Sequence, residues 1–197
     1  KQTMDVRAVM TGLKVAKEGG TIAISPEGNR TYSGRAEHIN PAIGGLVKLL
    51  RLPVAFIRIE GGYGVQPRWA DNVRKGRMRV YVSRVMEPEE YRALSEEEIA
   101  AIIRKELYVD DLAIKGTFKS KKSAEYMDRA YYVCPDCGLS TFHAEDEHIP
   151  CQKCGKTWRY LPDRTFARGP FRTTPEWYGY QPNSSQPPVL PTIAAEA

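Results

Sequence analysis

The sequence contains no run approaching the roughly 18 consecutive apolar residues that a membrane-spanning helix requires. Any contact of these residues with a bilayer is therefore expected to be peripheral. Histidine is scarce: His38, His143 and His148 are the only three among 197 residues. Cysteine is confined to two close pairs, with none elsewhere in the chain. Neither sign of charge dominates, because 29 Lys and Arg against 24 Asp and Glu leave a net charge of +5. That balance suits anionic lipid headgroups, the phosphates of a coenzyme A thioester, an acidic carrier protein or nucleic acid, and it does not choose among them. Basic residues are interspersed with acidic ones except at Lys115, Lys119, Lys121 and Lys122, a cluster that reads as a solvated linker. With 42% hydrophobic and 27% charged residues, the composition is that of a globular chain rather than a disordered one.

Apolar periodicity outlines the elements. Val6, Val9, Met10, Leu13 and Ala16 recur at helical spacing, and Gly19-Gly20 supply a stop before the apolar run Thr21 to Ser25, which reads as a buried strand. A second helix is expected from Asn40 as cap, with Pro41 in its first turn and Ile43, Leu46, Val47 and Leu50 on its apolar face, leading to a strand over Val54 to Ile59. Strand, helix, strand predicts a parallel pair with a crossover. Met78, Val80 and Val82 alternate with Arg77, Arg79 and Tyr81 as a half-exposed strand near a sheet edge would. Ser95 and Glu98 form a capping-box pattern ahead of a helix whose apolar stripe is Ile99, Ile102, Ile103 and Leu107. The fold class is α/β. Residues 1–112 are expected to form the α/β domain and 113–129 a linker, with a short helix possible over Ala124 to Ala130. Residues 163–197, rich in Pro, Thr and Ser, read as a largely disordered tail, although Trp177 and Tyr178 within it belong to no recognisable motif.

Directly after the run Thr21 to Ser25 stands Pro26-Glu27-Gly28-Asn29-Arg30. A turn at a strand end that presents a carboxylate, a Cβ-free backbone and a guanidinium is a place to hold a phosphate. Pro26 fixes φ, Gly28 permits unusual backbone angles or close approach of a ligand, and Arg30 offers a planar fork of donors matched to phosphate oxygens. The plainer alternative is that Glu27 and Arg30 merely pair with each other in a surface turn.

The block from Gly20 to Arg30, followed by a helical segment and then Leu52-Pro53-Val54-Ala55-Phe56-Ile57, resembles the glycerolipid acyltransferase family, whose best known members acylate lysophosphatidic acid. The similarity covers roughly residues 5 to 110. It implies a partial acyltransferase-like sheet with flanking helices, and an enzyme that moves a fatty acyl group from acyl-CoA or acyl-carrier protein to a lysophospholipid in phospholipid biosynthesis. It assigns the acceptor phosphate to Glu27, Gly28 and Arg30, and it implies a cytoplasmic protein peripheral to the membrane. Asn29 stands where the family commonly has Thr. The family's catalytic His, followed after four residues by Asp, lies upstream of the Glu-Gly-x-Arg block. Five positions beyond His38, His143 and His148 stand Ile43, His148 and Lys153, so none of the three is that motif. The resemblance therefore implies a chain lacking the catalytic N-terminal part and inactive alone; a degenerate domain that only binds is the alternative.

The cysteines fall as Cys134-Pro-Asp-Cys137-Gly138 and Cys151-Gln-Lys-Cys154-Gly155, with thirteen residues between the pairs. This is the layout of a four-cysteine zinc ribbon, expected over residues 130–162. Each pair wraps its sulfurs around one ion, and the glycine after each second cysteine lets the turn relax. Two disulfides, a redox pair and an iron site are the competing readings. With four cysteine ligands no position remains for substrate or an activated water, so the zinc is expected to be structural. His143 and His148, between the pairs, read as surface residues. So small a region buries too little apolar surface to fold alone, and the metal is expected to supply much of its stability. Lys153, Lys156, Arg159, Tyr131, Tyr132 and Trp158 form a basic and aromatic mix open to two readings: a non-catalytic module binding nucleic acid or a protein partner, or residues that offset the charge of the metal site and cover its apolar side.

Overall fold

Two apolar clusters organise the chain. The computed structural model describes residues 6–36 and 38–181, which divide into a first unit (residues 6–29, 36, 38–59 and 79–109) and a second (30–35, 60–78 and 110–181).

In the first unit, α1 (Val6–Lys17) forms on the expected periodicity. It ends as Gly19-Gly20 foretell: Gly19 sits at φ 75°, its N–H donates to Ala16 O at 3.1 Å, and Gly20 N–H reaches back to Val15 O at 2.9 Å. This glycine stop satisfies carbonyls that would otherwise end the helix unpaired. Helix α2 (Ile43–Leu50) begins later than expected: its cap is Ala42, which makes no side-chain cap bond, while Asn40 Oδ1 accepts from Ala42 N–H at 3.0 Å in the turn before the helix. Strands β1 (Val54–Glu60) and β2 (Arg79–Met86) pair with each other; Glu60, the last residue of β1, belongs to the second unit. The short α4 (Pro88–Tyr91) and the longer α5 (Glu96–Leu107) follow β2. The predicted capping box is present on α5: Ser95 Oγ accepts from Glu98 N–H and Glu98 Oε2 accepts from Ser95 N–H. Val47, Phe56, Met86, Tyr91, Ile99 and Ile103 form the core. Helix α2 meets α5 through Gly44, where a Cβ would stand 2.0 Å from Glu96 O. The two helices can approach this closely only because that position has no side chain.

Two expectations for this unit fail. Thr21 to Ser25 is irregular rather than a strand, and Ile24 is 48% exposed. A strand exists through its ladder partners, and among the described residues β1 pairs with β2 alone. The parallel pair with a crossover therefore does not form. In β2 the apolar Val80 and Val82 are more than half exposed while Tyr81 and Ser83 are half-buried, so the apolar set faces outward rather than into the core. Ile57 and Ile59 of β1 are likewise exposed.

The second unit carries α3 (Gly62–Val65), the antiparallel hairpins β3 (Val133–Cys134) with β4 (Gly138–Leu139) and β5 (His148–Pro150) with β6 (Thr157–Arg159), and α6 (Thr174–Tyr180). Asp111 is buried and accepts from Gly61 N–H at 2.6 Å and Gly64 N–H at 3.0 Å, satisfying backbone donors at the start of α3 that the helix leaves free. Arg164, also buried, donates to the carbonyls of Asp111 and Ile114.

The core of this unit is aromatic. Trp177 is fully buried, with ring centroids of Tyr131, Trp158, Phe166 and Phe142 at 4.9, 5.1, 5.2 and 5.6 Å, and its indole N–H donates to Val133 O at 2.8 Å. Residues 163–181, read as the start of a disordered tail, are therefore ordered. Thr173 and Glu176 make a capping box on α6, and burial of Trp177 offsets the entropy of ordering the segment. The expected tail beyond Gln181 lies outside the described residues. Residues 113–129 are not a linker either. Phe118, Ser123, Ala124 and Met127 are buried, Lys75 and Lys119 exchange backbone hydrogen bonds of 2.9 Å, and a 3-10 turn at Met127–Arg129 stands where a short helix was expected. The stretch from 130 to 162 is one part of a larger unit, not a self-contained module.

Candidate metal centre and phosphate turn

The hairpin β3–β4 closes around Cys134 and Cys137, and β5–β6 closes around Cys151 and Cys154. The glycine after each second cysteine is left-handed, Gly138 at φ 79° and Gly155 at φ 75°, and a Cβ at either would meet open space. Conformation rather than crowding therefore requires glycine there. In the first turn Asp136 N–H donates to Cys134 Sγ at 3.4 Å; in the second, Gly155 N–H donates to Cys151 O at 2.9 Å.

These turns bring the four sulfurs to within 4.8 Å of one another. Cys134 Sγ lies 3.7 Å from Cys154 Sγ, and Cys137 Sγ lies 3.6 Å from Cys151 Sγ. A tetrahedral zinc ion with sulfurs at about 2.3 Å sets its ligands about 3.8 Å apart, so the spacing fits that ion. Bonded sulfurs would stand at about 2.05 Å, and all four cysteines are free. The cluster can hold a metal ion such as zinc.

Their electrostatics are uneven. Burial pushes the thiols of Cys134 and Cys137 up. Burial also opposes ionisation of Cys151, but the Ser140 hydroxyl at 3.0 Å and backbone N–H groups of Cys154 and Lys153 outweigh it and bring that thiol down to about 6. Ser140 was invisible in the sequence reading, because the turn of the chain after β4, not spacing, brings its hydroxyl to the sulfur. His143 points outward, 4.0 Å from Glu145 with a largely exposed side chain, and His148 is an exposed residue of β5. Neither joins the sulfur cluster.

The basic residues of this region are engaged locally. Lys156 pairs with Asp136 and its ammonium feels the sulfurs of Cys154 and Cys134. Lys153 Nζ donates to Cys137 O at 3.1 Å, and Arg159 pairs with Glu147 at 2.8 Å. Tyr131 and Trp158 are core residues, leaving Tyr132 as the half-exposed ring of the set. The arrangement offsets thiolate charge and covers the apolar side of the cluster.

The other candidate residues belong to different units, Glu27 and Gly28 to the first and Arg30 to the second. In the first unit Gly28 N–H donates to Ser25 O at 3.0 Å, closing a turn over Pro26 and Glu27. Gly28 has φ 75°, the left-handed conformation that favours glycine, and a Cβ there would meet nothing within 4 Å. Its backbone is open to a ligand. Glu27 is half-buried. In the second unit Arg30 is exposed and Nη1 donates to Gln66 O at 3.1 Å, leaving most of its fork of donors available.

Among the described residues no helix is long and apolar enough to cross a membrane. Comparison with protein-family models, with curated proteins and with solved structures yields no match to this chain.

Proposed function

We propose that residues 26–30 bind the acceptor phosphate of a glycerolipid acyltransferase, and that the four cysteines hold a structural zinc ion beside that activity. The reading rests chiefly on the turn at Gly28, a left-handed glycine with open space where a side chain would be, inside a Pro-Glu-Gly-Asn-Arg block that resembles the acceptor-binding block of that family. Arg30 would supply charge-assisted hydrogen bonds to the phosphate. Gly28 would let the backbone approach it, and Glu27 would orient a substrate hydroxyl.

In the reaction a lysophospholipid hydroxyl, most simply that of lysophosphatidate, attacks the acyl carbon of a coenzyme A or carrier-protein thioester. The new C–O bond forms as the C–S bond breaks, the hydroxyl proton passes to a general base, and the thiol leaves. No histidine of this sequence carries the His-x4-Asp spacing, so the base and its orienting carboxylate would have to come from sequence outside these residues. The zinc, with cysteine on all four sides, would take no part in the chemistry. Reading the coding sequence upstream of Lys1 tests the assignment. An in-frame His and Asp separated by four residues is expected; an upstream reading frame without them would remove acyl transfer and leave a binding domain.

A further inference from the structure

Within the second unit, Tyr32, Arg129, Ala130, Tyr132, Tyr178 and Gln181 line a cleft of about 200 Å³. Its frame is fixed. Gln181 is buried, its Oε1 accepts from Tyr132 N–H at 2.7 Å and its Nε2 donates to Ala130 O at 2.9 Å. The rings of Tyr32 and Tyr178 are stacked, 19° from parallel with centroids 6.1 Å apart, and form one wall. Tyr132 adds a third ring, 49% exposed. Two guanidinium groups accompany these rings. Arg129 makes two bonds to Asp71, of 2.6 and 3.0 Å, and one to Trp69 O, which uses three of its five N–H groups. Arg68 stands over Tyr32, 4.4 Å from the ring centroid, and no carboxylate pairs with it among the described residues.

Rings and cations call for different parts of one ligand. Tyrosine faces stack on a flat heteroaromatic base, and guanidinium groups match phosphate oxygens. A free phosphate would leave the rings unused, and a neutral aromatic would leave the charge of Arg68 uncompensated. A nucleotide uses both. Asp71 is neutralised by Arg129, so it does not offset the attraction of Arg68 for an anion. Of the reactants in acyl transfer, a coenzyme A thioester is the one that carries a nucleotide, with phosphate on both its 3′ and 5′ oxygens. Tyr32 also follows Arg30 by two residues in the same unit, so the cleft is continuous along the chain with the proposed acceptor contact.

We infer that the tyrosine cleft of the second unit binds the adenine nucleotide end of the acyl-coenzyme A donor, the base stacking on Tyr132 and the Tyr32–Tyr178 wall and the phosphates meeting Arg68 and the remaining N–H groups of Arg129. The identity of the nucleotide rests on the acyl-transfer reading; the site itself rests on the cleft. Adenosine 3′,5′-bisphosphate is the probe, titrated by calorimetry into the zinc-loaded full chain, and saturable binding is expected. Tyr132→Leu should weaken it about tenfold, the worth of one base stacked on an aromatic ring, and Tyr132→Phe should restore it; Tyr132 is half-exposed, so both variants keep the core. Arg68→Gln should weaken the bisphosphate about tenfold and leave the binding of adenosine unchanged. Coenzyme A should displace the bisphosphate and pantetheine should not. No saturable binding, equal binding of inorganic pyrophosphate, indifference to Tyr132→Leu, or a bisphosphate that coenzyme A does not displace would overturn the inference. Lysophosphatidate binding through Arg30 is read separately on the same chain, so failure of the donor cleft and failure of the acceptor site are distinguishable.

Discussion

Removing the metal should unfold the second unit as a whole rather than loosen a ribbon. Cys134 and Cys151 are at most 1% exposed and belong to the same apolar cluster as Trp177, Trp158 and Tyr160. A structural four-ligand zinc site contributes about 10–16 kcal/mol of apparent binding free energy in small peptides at neutral pH. An entire domain is stable by only about 5–15 kcal/mol. Losing the first quantity is thus comparable to losing all of the second. Once the ion leaves, nothing bridges the four sulfurs, and the two turns have little to hold them at sulfur separations of 3.6–3.7 Å. The assay is direct, because all three tryptophans, Trp69, Trp158 and Trp177, lie in this unit and all are buried. Chelation of the zinc-loaded chain should shift their emission to the red and abolish the unit's cooperative melting. If zinc is stripped completely and both the emission maximum and the melting temperature stay where they were, the aromatic core is self-sufficient and the reasoning is wrong.

Substituting Gly44→Ala forces a Cβ against Glu96 O and should cost about 1–3 kcal/mol, the range for overpacking, read as a lowered urea midpoint. Trp177→Ala empties the centre of the aromatic cluster and should cost about 3–5 kcal/mol, seen in the same denaturation experiment. The carboxyl of Glu98 is held below its usual value by the Ser95 backbone N–H first and the Ser95 side chain second. A depressed carboxylate contributes stability that is present above its unfolded pKa and lost as pH falls through the folded one. Glu98→Gln should therefore lower the urea midpoint at pH 7, and the gap from the parent chain should close as the pH is taken below the carboxylate range. A gap constant with pH would show that charge plays no part in this cap.

Local chemistry was the legible part of the sequence. The stop at Gly19-Gly20, the box at Ser95 and Glu98, and the two cysteine turns with their glycines each depend on neighbours within a few positions, so sequence spacing contains the needed information. Thr21 to Ser25 was misread because a strand is defined by a partner far along the chain, and an apolar run alone does not name one. Phe118 and Trp177 were missed for the same reason from the opposite side. Phe118 packs against Gly64 and Gly76, where added Cβ atoms would lie 2.4 and 2.2 Å from its ring. Trp177 stacks on rings contributed from Tyr131 to Phe171. Neither position sits in a periodic pattern, so a segment of low hydropathy turned out to carry the core of the unit. For the candidate sites, the sequence located the four sulfurs and the turn at Gly28, but not Ser140, whose hydroxyl reaches Cys151 through the path of the chain after β4.

The phosphate assignment is tested most directly by titrating the zinc-loaded chain with a short-chain lysophosphatidate and, in parallel, with the monoacylglycerol of the same acyl chain. Binding that requires the phosphate, and that Arg30→Gln weakens about tenfold or more as expected for a charge-assisted hydrogen bond, is the predicted result. Equal affinity for the two lipids, or phosphate-dependent binding indifferent to Arg30→Gln, would contradict it.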